Sequence, residues 1–280
     1  MTARPTKTLR ITTRNAAFQQ WQALVTNRNK RQRLGEFLVQ GVRPISIAVQ
    51  QQWPLRSLLR VSGRLSAWAT EILATAPVAL VQELSPELMA ELGQKDDKPP
   101  ELIAVAEIPA DDLTRIPVRP DMLVVAFDRP TSPGNLGTVI RSADALGACG
   151  VLITGHAADL YDPKTIRATT GSFFAMPAVR VAAGEHAAAW VDQVRAGGIE
   201  LRVIGTSEDG AHEIADAELR GPTMLVIGNE TTGMSTAWAA RCDELVRIPM
   251  VGSASSLNAA ASASIALYEA ARQRRAPEAG

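Results

Sequence analysis

From Met122 onward the chain repeats one pattern: a strand that is apolar throughout, a turn of small polar residues, then a helical stretch. The strands read MLVVAFD, GVLITG, AVRV, ELRVIGT, TMLVIGNE and ELVRIPM, with helices expected from Leu136, near Lys164, and from His186, Thr236 and Leu257. A strand apolar on both faces must be covered on both, so the alternation predicts an α/β fold built on a parallel sheet between helical layers. In such sheets ligands gather beyond the carboxyl ends of the strands. Four strand ends carry glycine or proline among small polar residues: FDRPTSPGN, VIGTSEDG, VIGNETTGMS and IPMVGSASSLNAA. Such residues let backbone amides and carbonyls approach a ligand closely. Neither G-x-G-x-x-G nor G-x-x-x-x-G-K-[ST] follows the first strand, which sets aside a nucleotide-phosphate enzyme.

The first 108 residues read as a separate, smaller α/β domain. Helices are expected over Asn15–Val25, Val42–Gln52, Ala67–Ala74 and Pro86–Leu92, and strands at FLVQG, SLLRV, PVALV and LIAVAEI. Ser85 before PELMAEL is a good N-cap with proline at the first helical position. Residues 109–120, PADDLTRIPVRP, carry three prolines and no periodicity, the composition of a linker. The expected division is therefore 1–108, a linker at 109–120, and 121–280.

A net charge of zero conceals strong polarity along the chain. Residues 1–64 hold twelve Lys and Arg against one acid, Glu36. Charge concentrated in this way points to a polyanionic partner. Arg28, Lys30, Arg31, Arg33 and Arg43 are the candidate phosphate contacts, whereas Phe18, Trp21, Phe37 and Trp53 read as core. Sparse aromatics fit recognition of structured RNA by charge, shape and 2′-hydroxyls. No apolar run approaches the roughly 18 residues of a membrane span. The basic, polar N-terminus argues against a secretory signal, so a cytoplasmic protein with Cys149 and Cys242 reduced is expected. The three histidines form no metal-ligand pattern, and no metal is expected.

Taken together, PGNLGTVIRSADALG, VIGNETTGMS and IPMVGSASSLNAAASASIALYEA closely resemble, in order and spacing, the three motifs of the SpoU/TrmH family of RNA ribose 2′-O-methyltransferases. The resemblance covers roughly residues 120–272. It extends to NRNKRQRLGEFLVQGVRPI, which is similar to the ribosomal-protein-L30e-like substrate-binding module of the ribosomal-RNA members. Within the family the chain resembles most the 23S rRNA enzymes of the avilamycin-resistance type. It departs at Gln40, where many relatives place a glutamate.

The resemblance implies a deep trefoil knot in the C-terminal domain, a homodimer through that domain, S-adenosylmethionine as cofactor and 23S rRNA as substrate, with a role in antibiotic resistance. Carried over by motif, the cofactor site comprises Gly205, Thr206, Gly228, Asn229, Ile248, Met250, Ser256 and Leu257. The catalytic group comprises Asn135, Arg141, Glu230, Ser256 and Asn258. The long helix containing Asn258 is expected to start at Ser255 or Ser256, placing free N–H donors beside a ligand. The family proposal makes Arg141 a general base helped by a substrate phosphate. A base must accept a proton at working pH, which a guanidinium does not readily do. The alternative keeps Arg141 cationic, holding the phosphate and stabilising the developing alkoxide. A surface ion pair with Asp144 is the purely structural reading. Competing functions are a tRNA ribose 2′-O-methyltransferase and a non-catalytic RNA-binding or ribosome-assembly protein.

Overall fold

The computed structural model describes residues 7–94, 99–181 and 184–275. The chain divides into two compact units: residues 1–110 with 161–175, and residues 111–160 with 176–280.

The first unit contains β1 (Lys7–Ile11), β2 (Glu36–Gln40), β3 (Leu55–Val61), β4 (Leu80–Leu84) and β5 (Leu102–Glu107). They form one mixed sheet in the order β1-β4-β3-β5-β2, with β5 antiparallel to both of its neighbours. Its helices are α1 (Ala16–Thr26), α2 (Arg28–Leu34), α3 (Val42–Gln50), α4 (Ala67–Thr75) and α5 (Pro86–Gly93). Local chemistry starts most of them: the side chains of Asn15, Asn27, Ser66 and Ser85 accept from the third residue beyond each. Gly35 ends α2 in the left-handed conformation at φ +65°. Thus part of the basic stretch is a capped helix. The strand expected at PVALV lies three residues later, over Leu80–Leu84, with Val81, Gln82 and Leu84 buried.

Two short helices complete this unit, α7 (Pro163–Thr169) and α8 (Ser172–Ala175), which a single division at the linker would have assigned to the other half. Their segment brings Tyr161, Phe173 and Phe174 against Phe37 at centroid distances of 5.1, 5.8 and 6.4 Å, and Trp53 closes the cluster. Each such ring, fully buried, contributes about 1.5–3 kcal/mol.

The second unit contains β6 (Leu123–Asp128), β7 (Gly150–Thr154), β8 (Ala178–Val181), β9 (Arg202–Thr206), β10 (His212–Glu213), β11 (Thr223–Ile227) and β12 (Glu244–Arg247). All pairings are parallel, in the order β10-β12-β9-β11-β6-β7-β8. The fully apolar strands sit where expected, and β6, β7 and β11 are buried at every position. Its helices are α6 (Pro133–Ala145), α9 (Gly184–Ala196), α10 (Thr236–Ala239) and α11 (Ala259–Arg275). The linker is not a free tether. From Asp111 it belongs to this unit, with Ile116 buried against Gly150 and Asp111 paired with Arg180 at 2.6 Å.

The C-terminal path matters most for the site. β12 lies on the far side of β9 from β6, yet α11 packs on α6 and against β11. Residues 248–258 therefore return across the carboxyl ends of β9 and β11. The helix begins at Ala259 and not at Ser255 or Ser256. Asn258 accounts for the later start: its Oδ1 accepts from the amides of Ala260 and Ala261 at 2.9 and 3.3 Å, the geometry of a cap.

Candidate active site

Four neighbouring strands, β12, β9, β11 and β6, end at the same edge of the second sheet. A cavity of about 600 Å³ lies there among the loops that follow β9, β11 and β12. Seven of the eight sequence-predicted cofactor residues line it: Thr206, Gly228, Asn229, Ile248, Met250, Ser256 and Leu257. Gly205 does not. It lies under Met234, Cys242 and Leu245, whose atoms would stand 2.4–2.8 Å from an added Cβ, so its smallness serves packing behind the wall.

Backbone approaches shape the loops. A Cβ on Gly228 would lie 2.5 Å from the Met234 amide nitrogen, because the 228–235 loop folds back on itself. Asn229 and Gly233 close it by exchanging backbone hydrogen bonds of 3.0 and 3.1 Å. The Asn229 Oδ1 accepts from the amides of Thr231 and Thr232, and its Nδ2 donates to the Arg129 carbonyl at 2.7 Å. Arg129 returns a bond of 3.0 Å to the Gly233 carbonyl. Beneath it, buried Asp128 accepts from the Thr154 hydroxyl and the Ser235 amide. The loop after β11 is thus tied to the end of β6.

Glu230 leaves this loop toward α6. Its Oε1 accepts from Asn135 Nδ2 at 2.8 Å, and its Oε2 accepts from the Thr131 hydroxyl at 3.2 Å. Asn258 Nδ2 donates to Asn135 Oδ1 at 3.2 Å. Asn135 therefore bridges the other two, with its amide orientation dictated by the carboxylate. The structure brings three of the five predicted catalytic residues into one hydrogen-bonded chain. Ser256 lines the cavity but makes no hydrogen bond among the described residues. Arg141 is on the exposed face of α6, outside the cavity wall, and makes neither the ion pair with Asp144 nor any other polar contact among the described residues.

The cavity has a definite electrostatic sign. Among the described residues its walls carry Glu208, Asp209 and Glu230 and neither lysine nor arginine, beside the apolar side chains of Ile227, Leu245, Ile248, Met250 and Leu257. Such a site accommodates a guest with positive charge and an apolar or aromatic portion. Behind the wall, burial and the neighbouring Asp243 push the Cys242 thiol up to about 12. Thr131, Arg129, Glu208 and Asp209 were not singled out from sequence. The last two lie in TSEDG, a strand-end turn whose position was a signal but whose charge was not read.

A family model described as the SpoU rRNA Methylase family matches residues 122–268, and one described as the SpoU L30e-like domain matches residues 15–104. The chain belongs to the SpoU rRNA methylase family. Among SpoU relatives, it is 58% identical over 266 residues to a 23S rRNA (uridine(2479)-2′-O)-methyltransferase of Streptomyces viridochromogenes, covering 95% of this chain and 92% of that one. The crystal structure of the SpoU methyltransferase AviRb from the same organism, in complex with AdoMet, superposes with a TM-score of 0.89 at 58% identity over 93% of this chain and 98% of that one. An AdoMet-bound rRNA methyltransferase from Sinorhizobium meliloti gives a TM-score of 0.85 at 29% identity, over 95% and 98% of the two chains.

In the first unit the structure redistributes the predicted RNA contacts. Arg31 is removed from the set: it is 1% exposed, donates to the carbonyls of Leu24 and Val25, and lies 3.6 Å from Asp162. A guanidinium so enclosed holds the fold together. Arg28 is half-buried, and Arg43 is exposed while donating to the Thr170 carbonyl at 3.1 Å. Lys30 and Arg33 have no side-chain partner among the described residues. Gln40 is buried and donates to the Leu92 carbonyl at 2.9 Å, a contact that an ionised glutamate could not make.

Proposed function

We propose that this protein transfers a methyl group from S-adenosylmethionine to a ribose 2′-hydroxyl of 23S rRNA. The observation that carries the reading is the Glu230–Asn135–Asn258 chain placed against a cavity whose walls are acidic and apolar and, among the described residues, hold no cation. The cofactor carries a sulfonium, an ammonium and an adenine, so both the sign and the apolar character of the walls suit it. The relatives named above support the substrate. Thr206, Gly228, Asn229, Ile248, Met250, Ser256 and Leu257 would hold the cofactor, which supplies a methyl group already activated for displacement.

The protein must then place the ribose hydroxyl in line and dispose of its proton. Positioning of this kind is worth several orders of magnitude in rate. Asn135, held from both sides, orients the edge of the site nearest the substrate. Arg141, without a polar partner among the described residues, is available to a phosphate adjoining the target ribose. There it stays cationic and stabilises the developing alkoxide, while the proton leaves to phosphate or water. Lys30, Arg33 and the exposed portions of Arg28 and Arg43 would meet the RNA backbone.

Three further readings follow from the same resemblance. The return of residues 248–258 across β9 and β11 supports a trefoil knot. The exposed Ile265 and Tyr268 on α11, 39% and 57% accessible, support a homodimer through that face, checked by light scattering. Among the described residues no helix is long and apolar enough to cross a membrane, and a ribosomal substrate would place the enzyme in the cytoplasm. Tritiated methyl transfer to 23S rRNA and to bulk tRNA tests the main reading. Label in 23S rRNA, with one primer-extension stop at low nucleotide concentration, is expected. Label in tRNA alone, or RNA binding without transfer, would overturn it. A resistance role predicts that expression raises tolerance to avilamycin.

A further inference from the structure

Among the described residues of the first unit, some cations are cancelled by a neighbouring carboxylate and others are not. Arg10, Arg14, Arg56 and Arg60 each pair with a glutamate, so their charge is largely cancelled at short range. Lys30 and Arg33 on α2 have no such partner among the described residues, and neither do Lys164 and Arg167 on α7. Lys164 and Arg167 are both exposed and stand three residues apart, on one face of their helix, while Thr165, Ile166 and Thr169 turn inward.

The two helices are joined by a cation that is spent on structure. Arg31, buried between Lys30 and Arg33 in sequence, reaches Asp162, and Asp162 in turn caps α7 by accepting from the Lys164 amide at 2.8 Å. At the other end of the segment, Arg43 holds the Thr170 carbonyl. Two arginines thus fasten residues 161–175 to the first unit, and the fastened segment presents two uncancelled charges on a helix whose start is tied to α2 by Arg31 and Asp162.

We infer that Lys164 and Arg167 belong to the RNA-binding face of the first unit, extending the basic surface of α2 with phosphate contacts drawn from a distant part of the sequence. The inference rests on the proposed RNA substrate. Its partner is the sugar–phosphate backbone, because unpaired cations on a helix face carry charge without a base-reading geometry. Each phosphate neutralised adds about 0.7–0.9 to the magnitude of the slope of log K against log salt.

The test compares wild type with Lys164→Ala/Arg167→Ala by filter binding to transcribed 23S rRNA over a series of salt concentrations. The double variant is expected to bind about tenfold more weakly at low salt, with a slope shallower by about 1.4–1.8. Melting temperature and S-adenosylmethionine affinity by calorimetry should be unchanged. The charge-preserving Lys164→Arg/Arg167→Lys variant should restore both affinity and slope. An unchanged slope in a double variant whose wild type binds and methylates would overturn this inference alone. A parallel loss of melting temperature, or failure of the charge-preserving variant to restore the slope, would assign these side chains to the fold and overturn it too. A wild type that bound no RNA would remove the proposed substrate itself.

Discussion

The two walls of the cavity are built in opposite ways. The 228–235 loop is fastened throughout: Asn229 organises its turn, Arg129 grips Gly233, and buried Asp128 holds Ser235. Facing it, residues 248–257 make no hydrogen bond among the described residues, and Val251 is fully exposed. The fastened wall carries Glu230, and the unfastened one carries the apolar side chains of Ile248, Met250 and Leu257. Chemistry needs geometry fixed in advance, whereas a segment that closes over a ligand must be free to move before it arrives. If the cofactor binds as proposed, the cost of ordering the second wall falls on its binding, at about 1–2 kcal/mol for each residue fixed.

The contrast can be broken most decisively at Asn135. Asn135→Ala severs Glu230 from Asn258, and kcat is expected to fall by about 10²–10³-fold while cofactor affinity changes little. Loss appearing chiefly as weaker cofactor binding in calorimetry would erase the distinction between the walls. Asn229→Ala attacks the fastened wall itself. It removes the side-chain bonds to the Thr231 and Thr232 amides and to the Arg129 carbonyl, each worth about 0.5–1.5 kcal/mol net, which lowers Tm by roughly 2–10 °C. An unaltered melting curve would show that the loop is not held as described.

The unfastened wall should respond in the other direction. Gly252 has open space where a Cβ would stand, so Gly252→Ala narrows the unbound ensemble without strain. Cofactor affinity should rise about two- to fivefold at unchanged kcat, the equivalent of 0.4–1 kcal/mol. Weaker binding would mean that this segment is already ordered. The smallest signal comes from Cys242, behind the fastened wall. With its thiol pushed up to about 12, iodoacetamide should label it very slowly at pH 8. As the thiolate fraction lies far below saturation there, the rate should climb about tenfold per pH unit up to pH 10. Rapid labelling at pH 8 would reveal a wall that opens.

The sequence made the second unit legible because its strands are apolar on both faces, and only a covered parallel sheet satisfies them. The cavity's location followed from strand ends rich in small residues. Contacts that reverse a residue's apparent role were not legible. Arg31 looks like its basic neighbours, and only the carbonyls of Leu24 and Val25 with Asp162, 131 positions away, disclose it as a structural residue. Gly205 looked like a ligand-facing glycine, and the Met234 and Cys242 that press on it come from other turns of the chain. Periodicity also favoured an earlier start for α11, since Ser255 and Ser256 are good caps in isolation; Asn258 won because its carboxamide serves Asn135 on one side and the helix amides on the other.

The aromatic cluster around Phe37 has a consequence for how the chain is made. Synthesis delivers β1 to β5 first, but the rings of Tyr161, Phe173 and Phe174 that cover Phe37 emerge only after the first two strands of the second unit, β6 and β7, have been made. The half of the protein that leaves the ribosome earliest must therefore wait, with one face unsealed, for a piece of the half that follows. A nascent chain halted at the linker would expose that face to chaperones, and release past residue 175 would close it.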